Sequence, residues 1–455
     1  MKRSAMINRI LPLYAIICAA CIPMALKAEV EMRPKEVGAS IDFGQIKSGH
    51  TGNAVYDDQT LTRTGVYLTT SGIYNKNLDV RITIGGLFWY PLTPGEHSAE
   101  RLVRFGPGVG QAQGIYSYGN PENPSAKLHF GLFSEKYTDA TNLGEYLFRS
   151  GTYPGYLVTG GWSYINSASY LAQGVKLILP TFGGMVTHEF TLFMERDYEP
   201  TSDISPGYLL TVKPLAFLEF GAGIVWSHAI SLNPDRLAPK DTVNNGYSKI
   251  TNLPILQATD SVTKFTPRDH PDQVGFYTFR GFKTMARASI DIGPLFGNER
   301  IHAGDFKLYT EMAILGVQDQ PYYYDDIKDR MPIMVGINLP TFGLLNKLSI
   351  EGEYYKHRFP NTVGMPFYYA LPLPLNQNDS PNNYPDSLAS VNKSRFWHWS
   401  VYGSRKITQG ITLFAQAASD HQRHPNGAEV KPTEQPPTIT AKDWYYVVRL
   451  DFGLF

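Results

Sequence analysis

Residues 443–455 read DWYYVVRLDFGLF. Trp444, Tyr446, Val448, Leu450, Phe452 and Leu454 share one face at a period of two. Asp443, Tyr445, Val447, Arg449, Asp451 and Gly453 share the other. Strict alternation of this kind is the mark of a β-strand whose two faces meet different surroundings. One face is apolar and aromatic, and the other carries the charges of Arg449 and Asp451. The last residue, Phe455, is out of phase with the apolar file.

The composition narrows the surroundings. The chain has 455 residues, with 41 Lys and Arg balancing 41 Asp and Glu, so nothing in its charge points to nucleic acid. Residues 1–28 read as a secretory signal. Lys2, Arg3 and Arg9 form the positive end, 10–26 is apolar, and a cut falls near Ala28. The alternative is a membrane anchor, against which stand Pro12, Pro23 and the shortness of the run. Cys18 and Cys21 both lie in this segment, which leaves no cysteine downstream for a disulfide framework. Ala19-Ala20-Cys21 loosely resembles a lipoprotein processing site, with Cys18 where that pattern has Leu. No later stretch holds the roughly twenty unbroken apolar residues of a spanning helix.

Strand signals recur instead. Residues 29–60 form a polar lead-in with one alternating piece, Val37, Ala39, Ile41 and Phe43, read as an extra strand or a plug-like segment. From Leu61 the expected strands are 61–74, 78–90, 101–118, 126–137, 156–165, 170–179, 185–197, 208–212, 215–231, 275–292, 305–317, 331–339, 347–357, 396–406, 411–419 and 443–455. In the second, Leu78, Val80, Ile82 and Ile84 oppose Asp79, Arg81 and Thr83. Asn75-Lys76-Asn77 reads as a tight turn. The stretches 232–274, 359–395 and 420–442 read as long loops. Residues 142–149 read as a turn, with a short helix at a rim or inside the fold as the alternative. Leu179-Pro180-Thr181-Phe182-Gly183 recurs as Leu339-Pro340-Thr341-Phe342-Gly343, a shared way of ending a ladder.

This pattern, with its charged inner and greasy outer faces and an aromatic at the C-terminus, resembles the bacterial outer-membrane β-barrels. In them lipid-facing and lumen-facing residues alternate between aromatic girdles. The resemblance implies an all-β fold: a transmembrane, antiparallel, up-and-down β-barrel of about sixteen strands over 61–455, with 29–60 a periplasmic lead-in or extra strand. It implies outer-membrane lipid, small polar solutes and the barrel-assembly machinery, through the C-terminal strand, as partners, and no cofactor or metal. Barrels of this size usually leave an aqueous channel. The expected function is passive diffusion of small polar solutes, with sugars as the candidate class. The alternative is a closed barrel acting as a surface adhesin, a structural protein or a carbohydrate-binding protein, and an outer-membrane hydrolase is a third reading. Connections in such barrels alternate short and long. Here they alternate after Pro180 and fail to before it, which points to a strand missed or split in the first half.

The polar files give the candidate lumen residues. They are Lys283, Arg287 and Asp291; Lys307, Tyr309 and Glu311; Glu351, Glu353 and His357 beside Ser349 and Tyr355; and Arg449 with Asp451. Glu351 and Glu353, two apart on one face, stand roughly 6.5–7 Å apart. That matches a glycosidase acid/base pair, or else a wall whose acids pair with Lys and Arg on neighbouring strands. No HExxH or Ser-centred elbow accompanies them. Mixed signs around a lumen give a hydrated pore with weak ion preference. Trp397 and Trp399 share the outward phase, as a girdle requires. Tyr322-Tyr323-Tyr324 and Tyr368-Tyr369 fall in loops, as sugar-stacking or loop-packing residues. Asp325, Asp326 and Asp329 lack the glycine spacing of a calcium loop.

Overall fold

The computed structural model describes residues 30–33, 36–51, 60–89, 104–149, 170–194, 203–230, 281–296, 301–317, 327–356, 396–419 and 442–453, with short pieces between them. Sixteen strands form the main sheet. They are β1 (Glu36–Ser48), β2 (Thr60–Tyr74), β3 (Leu78–Trp89), β4 (Arg104–Asn120), β5 (Asn123–Glu135), β6 (Tyr170–Thr181), β7 (Val186–Met194) and β8 (Ile204–Leu215). β9 (Leu218–Ser227), β10 (Gly281–Asp291), β11 (Lys307–Leu315), β12 (Ile333–Asn338), β13 (Lys347–Tyr354), β14 (Trp397–Thr408), β15 (Ile411–Ser419) and β16 (Trp444–Gly453) complete it. Each pairs antiparallel with the next, and β1 pairs with both β2 and β16, so the sheet closes on itself. Val30–Met32 continues the lane of β1 along the far end of β2.

The faces follow the alternation. Val37, Ile41 and Phe43 of β1, Ile82 and Ile84 of β3, and Phe190 and Leu192 of β7 are exposed on the outside. Their neighbours Ser40, Asp42, Thr83, Thr191 and Phe193 are buried inside. This is an outside-in molecule, apolar outward and polar inward, as a hydrocarbon surrounding demands.

The strand set corrects the sequence reading. β5 is hydrogen-bonded directly to β6, Lys127 opposite Ile178 through Glu135 opposite Tyr170, which leaves no lane between them; the expected strand 156–165 lies outside the described residues. The barrel begins at Glu36, not Leu61: the alternating piece of the lead-in is β1. Sixteen is the right number for a partly different set. With β1 counted, the connections alternate between a short and a long rim except at 292–306, which is longer than 49–59 and 195–203 across from it. Those at 75–77, 121–122, 182–185, 216–217, 339–346 and 409–410 are short, and 292–306 is the longest on their rim. Those at the opposite rim include 90–103, 136–169, 228–280, 355–396 and 420–443. The expected strand 275–292 is also two pieces. Gly275–Thr278 belongs to a separate small sheet with Ile255–Thr259 and Val262–Phe265, and only Gly281–Asp291 joins the barrel. The expected leader 1–28, with Cys18 and Cys21, and the loop residues Tyr322, Asp325, Asp326 and Tyr368 lie outside the described residues.

Aromatics gather at the rims. At the long-loop rim Trp226 stacks on Phe282, Tyr354 tilts against Trp397, and Trp399 meets Trp444. At the short-turn rim the repeated Leu-Pro-Thr-Phe-Gly turns each hold a phenylalanine at positive φ, 50° at Phe182 and 52° at Phe342, and both side chains are exposed. A bulky residue in the left-handed region is strained, and two sequence copies adopting it show that the turn itself imposes the conformation.

The closing seam is tied by charge. Asp42 of β1 faces Arg63 of β2 and Arg449 of β16 in register. Arg449 donates from Nε to Asp42 Oδ1 at 2.5 Å and from Nη2 to Oδ2 at 2.8 Å. Arg63 Nε donates to Oδ2 at 2.8 Å. All three side chains are buried. Removing the one carboxylate would leave two guanidinium groups buried together, and breaking a buried pair costs about 3–5 kcal/mol. Asp42→Ala is therefore expected to lower the urea midpoint of the refolded barrel. The midpoint is read from the heat-sensitive folded band on gels; an unchanged midpoint would show that the seam is held by its ladder alone.

Candidate functional site

The candidate site is the lumen, and a segment of the chain occupies part of it. After β5 the chain turns inward over 136–149 and ends in a short helix, α1 (Tyr146–Arg149). Its residues Ala140, Leu143, Leu147 and Phe148 are fully buried. They share one apolar cluster with Phe133, Phe193, Leu209, Val225, Met285, Ala313 and Met334 of the wall. The apolar partners of this segment thus line β5 to β12 on the inside, where a water-filled barrel would show polar residues. Phe148 meets Phe193 at 5.0 Å between ring centroids, and Phe133 meets Phe193 edge-on at 5.9 Å.

The polar half of the attachment comes from the acidic files. Glu351, at the middle of β13, accepts backbone N–H groups from Thr141 (2.5 Å), Asn142 (2.9 Å) and Leu143 (2.8 Å). It also accepts the hydroxyls of Thr141 (2.8 Å) and Tyr309 (2.7 Å). Glu311, at the middle of β11, accepts N–H from Glu145 (2.6 Å) and Tyr146 (2.8 Å) and the Tyr137 hydroxyl (2.7 Å). Glu353 accepts the Tyr146 hydroxyl at 2.6 Å. A loop inside a barrel must satisfy its amides without a ladder, and here the wall carboxylates do it. Bonds of a carboxylate to N–H are among the stronger hydrogen bonds.

The segment also meets the wall near the short-turn rim. Asp139 pairs with Lys307, and Lys347 donates to the Asp139 carbonyl at 2.9 Å. Burial acts to raise the pKa of the Asp139 carboxyl. The hydrogen bond and charge of Lys307, with Lys347 and Lys136, outweigh it and hold the group below the usual carboxylate value. Burial, with the charges of Glu311 and Glu145, pushes the Tyr137 phenol well above its usual value, so it stays a neutral donor. Gly144 is demanded by the path. Its φ is +80°, and a Cβ there would lie 2.5 Å from Met334 Cε.

The expected lumen residues divide accordingly. Lys307, Tyr309, Glu311, Glu351 and Glu353 converge on the inward segment. Glu351 and Glu353 both accept hydrogen bonds from the inward segment. Lys283 is buried on the inner face of β10. Arg287 pairs with Glu219 and donates to Thr211 Oγ1 at 2.8 Å. Asp291 sits at the short-turn rim, accepting N–H from Gly293 and Gly304. Arg449 belongs to the seam with Asp42, and Asp451 follows it on the same inner file. His357 lies outside the described residues. The sequence reading missed Asp42, Arg63, Asp139 and the Lys176 pairs with Glu135 and Glu189. Asp42 had a signal, since it alternates with Ile41 and Phe43. Asp139 had none, because nothing local says which distant wall a loop residue meets.

No protein-family model matches the chain, and no curated protein matches it. Among solved structures, a mutant Rh. blastica porin is similar at 8% identity over 94% of this chain and 100% of that one, with a TM-score of 0.41. Salmonella typhi OmpF in complex with daunomycin is similar at 11% identity over 93% and 97%, with a TM-score of 0.43. Pseudomonas putida OprB is similar at 9% identity over 93% and 93%, with a TM-score of 0.42.

The inward segment yields a test. In Glu351→Gln the side-chain amide can no longer serve every donor around it. Amide protons of 141–146 are then expected to exchange at least tenfold faster, the loss of about one charge-assisted bond, while those of β13 keep their protection. Equal exchange in wild type and variant would mean that apolar packing alone holds the segment. By its ladder, its apolar exterior and its charged interior, the chain is a closed sixteen-stranded antiparallel β-barrel built to cross a membrane.

Proposed function

We propose that the protein is an outer-membrane channel for passive diffusion of small polar solutes. The observation that carries this reading is the one-sided attachment of the inward segment. Its described contacts fall on β5 to β13. The inner faces of β1 to β4 and β14 to β16 carry polar side chains, among them Thr69, Thr83, Gln111 and Gln416, beside a smaller buried cluster of Ile46, Tyr402, Ala418, Tyr445 and Val447. A segment fixed to one side of a sixteen-stranded barrel narrows the lumen without a ladder across it. The facing wall mixes neutral polar groups with charges of both signs, Asp42, Arg63 and Arg449 among them, so its described residues form no single-sign ring to select ions. Sugars are the candidate class within this proposal. Secretion through a cleaved leader near Ala28, and capture of β16 by the assembly machinery, belong to the same proposal.

One observation favours the second reading, a closed barrel serving as a surface adhesin, structural or carbohydrate-binding protein. Ser40, Asp42, Ser400 and Arg449 face inward and are at most 2% exposed, although no described loop covers them. Single-channel conductance of the refolded full chain in a planar bilayer separates the two. Steady current is expected, and exchange of Glu311 and Glu351 together for Ala is expected to change its amplitude by releasing the segment. Block of that current on titrating in one sugar would name the solute class. Folded protein that passes no current would overturn the channel reading in favour of the closed barrel.

A further inference from the structure

The outer face carries an apolar groove of about 390 Å³ over β13 to β16, running from Leu345 at the short-turn rim to Ala417 and Tyr446. Its floor is made by small side chains, Gly403 of β14 and Ala415 and Ala417 of β15. Its walls are Leu345, Leu348 and Val401 on one side and Tyr446 and Val448 on the other. The register explains the hollow. Gly403 stands opposite Ala415, and Ala415 opposite Val448, so two neighbouring lanes lack bulk where adjacent ones carry Leu, Val and Tyr.

Arg405 lines the same groove at its short-turn end. It is exposed, and it follows Trp397, Trp399, Val401 and Gly403 in the outward file. Along the described outer files of the sixteen strands the other formal charge is Lys47, which sits in the β1 bulge at the opposite rim and pairs with Asp58. Arg405 has no such partner among the described residues. A lipid-facing charge is unfavourable in hydrocarbon and tolerable near the interface, where a long side chain reaches the headgroups. A guanidinium there is a fork suited to a phosphate.

We infer that this groove binds one phospholipid, with an acyl chain lying along Gly403, Ala415 and Ala417 and its phosphate held by Arg405. From Val401 to Arg405 the strand rises roughly 13 Å, the length of part of one chain. The inference rests on the barrel lying in a membrane and not on its conducting anything, so a channel that fails to conduct leaves it standing.

The test is native mass spectrometry of the full chain, refolded in detergent and offered either phosphatidylglycerol or a diacylglycerol of the same chains. Wild type is expected to retain one phosphatidylglycerol and little diacylglycerol. Arg405→Gln should weaken phosphatidylglycerol about tenfold, to the level of diacylglycerol, as loss of one charge-assisted contact requires. Gly403→Leu should abolish both. A Cβ at that position meets Leu345 Cδ1 at an ordinary 3.6 Å, so the new side chain fills the groove without forcing the backbone. Ala417→Leu serves in its place should that variant not give the heat-sensitive folded band. Unchanged retention in Arg405→Gln or in the filled variants, or no retention by wild type, would overturn the site. Dimers present in wild type and lost in Gly403→Leu would also overturn it, giving the groove to a second copy of the chain.

Discussion

Everything in this molecule depends on β1 meeting β16. In hydrocarbon an unpaired strand edge has no water to satisfy it, so a spanning sheet must close. Closure joins residues from opposite ends of the chain, Ser40 beside Asp451 and Phe43 beside Val448. The ladder supplies the backbone bonds, and Asp42 between Arg63 and Arg449 adds a tie that fits one register. A shift of one residue would turn Asp42 to the lipid and Ile41 or Phe43 to the inside, since side chains alternate with period two. The buried triad therefore specifies the closure at least as much as it stabilises it.

A closed barrel sets a second problem, which is what to do with its interior. Here the answer is divided. One side of the wall receives an inward segment with both apolar and polar contacts, and the other combines polar and charged side chains with a small apolar cluster of Ile46, Tyr402, Ala418, Tyr445 and Val447. Glu311 and Glu351 act as ready-made acceptors for a stretch of backbone that cannot form a ladder. Their positions at mid-height on β11 and β13 place the segment at mid-height too. The acids Glu311, Glu351 and Glu353 hold the inward segment against the wall. The shape of the lumen follows from where those carboxylates stand.

The fold was legible because the bilayer imposes a period-two code on every strand. β3, β7, β13 and β16 could be assigned, with their faces, from the alternation alone. Errors arose where the code is weak. β1 is short of bulky residues, and its polar surroundings made it look like a lead-in. Residues 156–165 carry β-forming types, while the described ladder joins β5 directly to β6. The alternation of short and long connections held the correction already, since it failed before Pro180 and holds there once β1 is admitted and β5 pairs directly with β6.

The sequence by itself determined the class of surroundings, the face of each residue in a well-patterned strand and the approximate strand number, because these depend on local periodicity and on a solvent that is the same along the whole barrel. Tertiary structure decided which polar residues meet. Glu351 is joined to Thr141, Asn142 and Leu143, and Asp42 to Arg449, across separations that no local pattern encodes. The same holds for the groove beside Arg405, which exists because the small residues of two strands fall side by side in register. Register between strands is a global property, fixed by closure, and so it is where the functional geometry of this barrel resides.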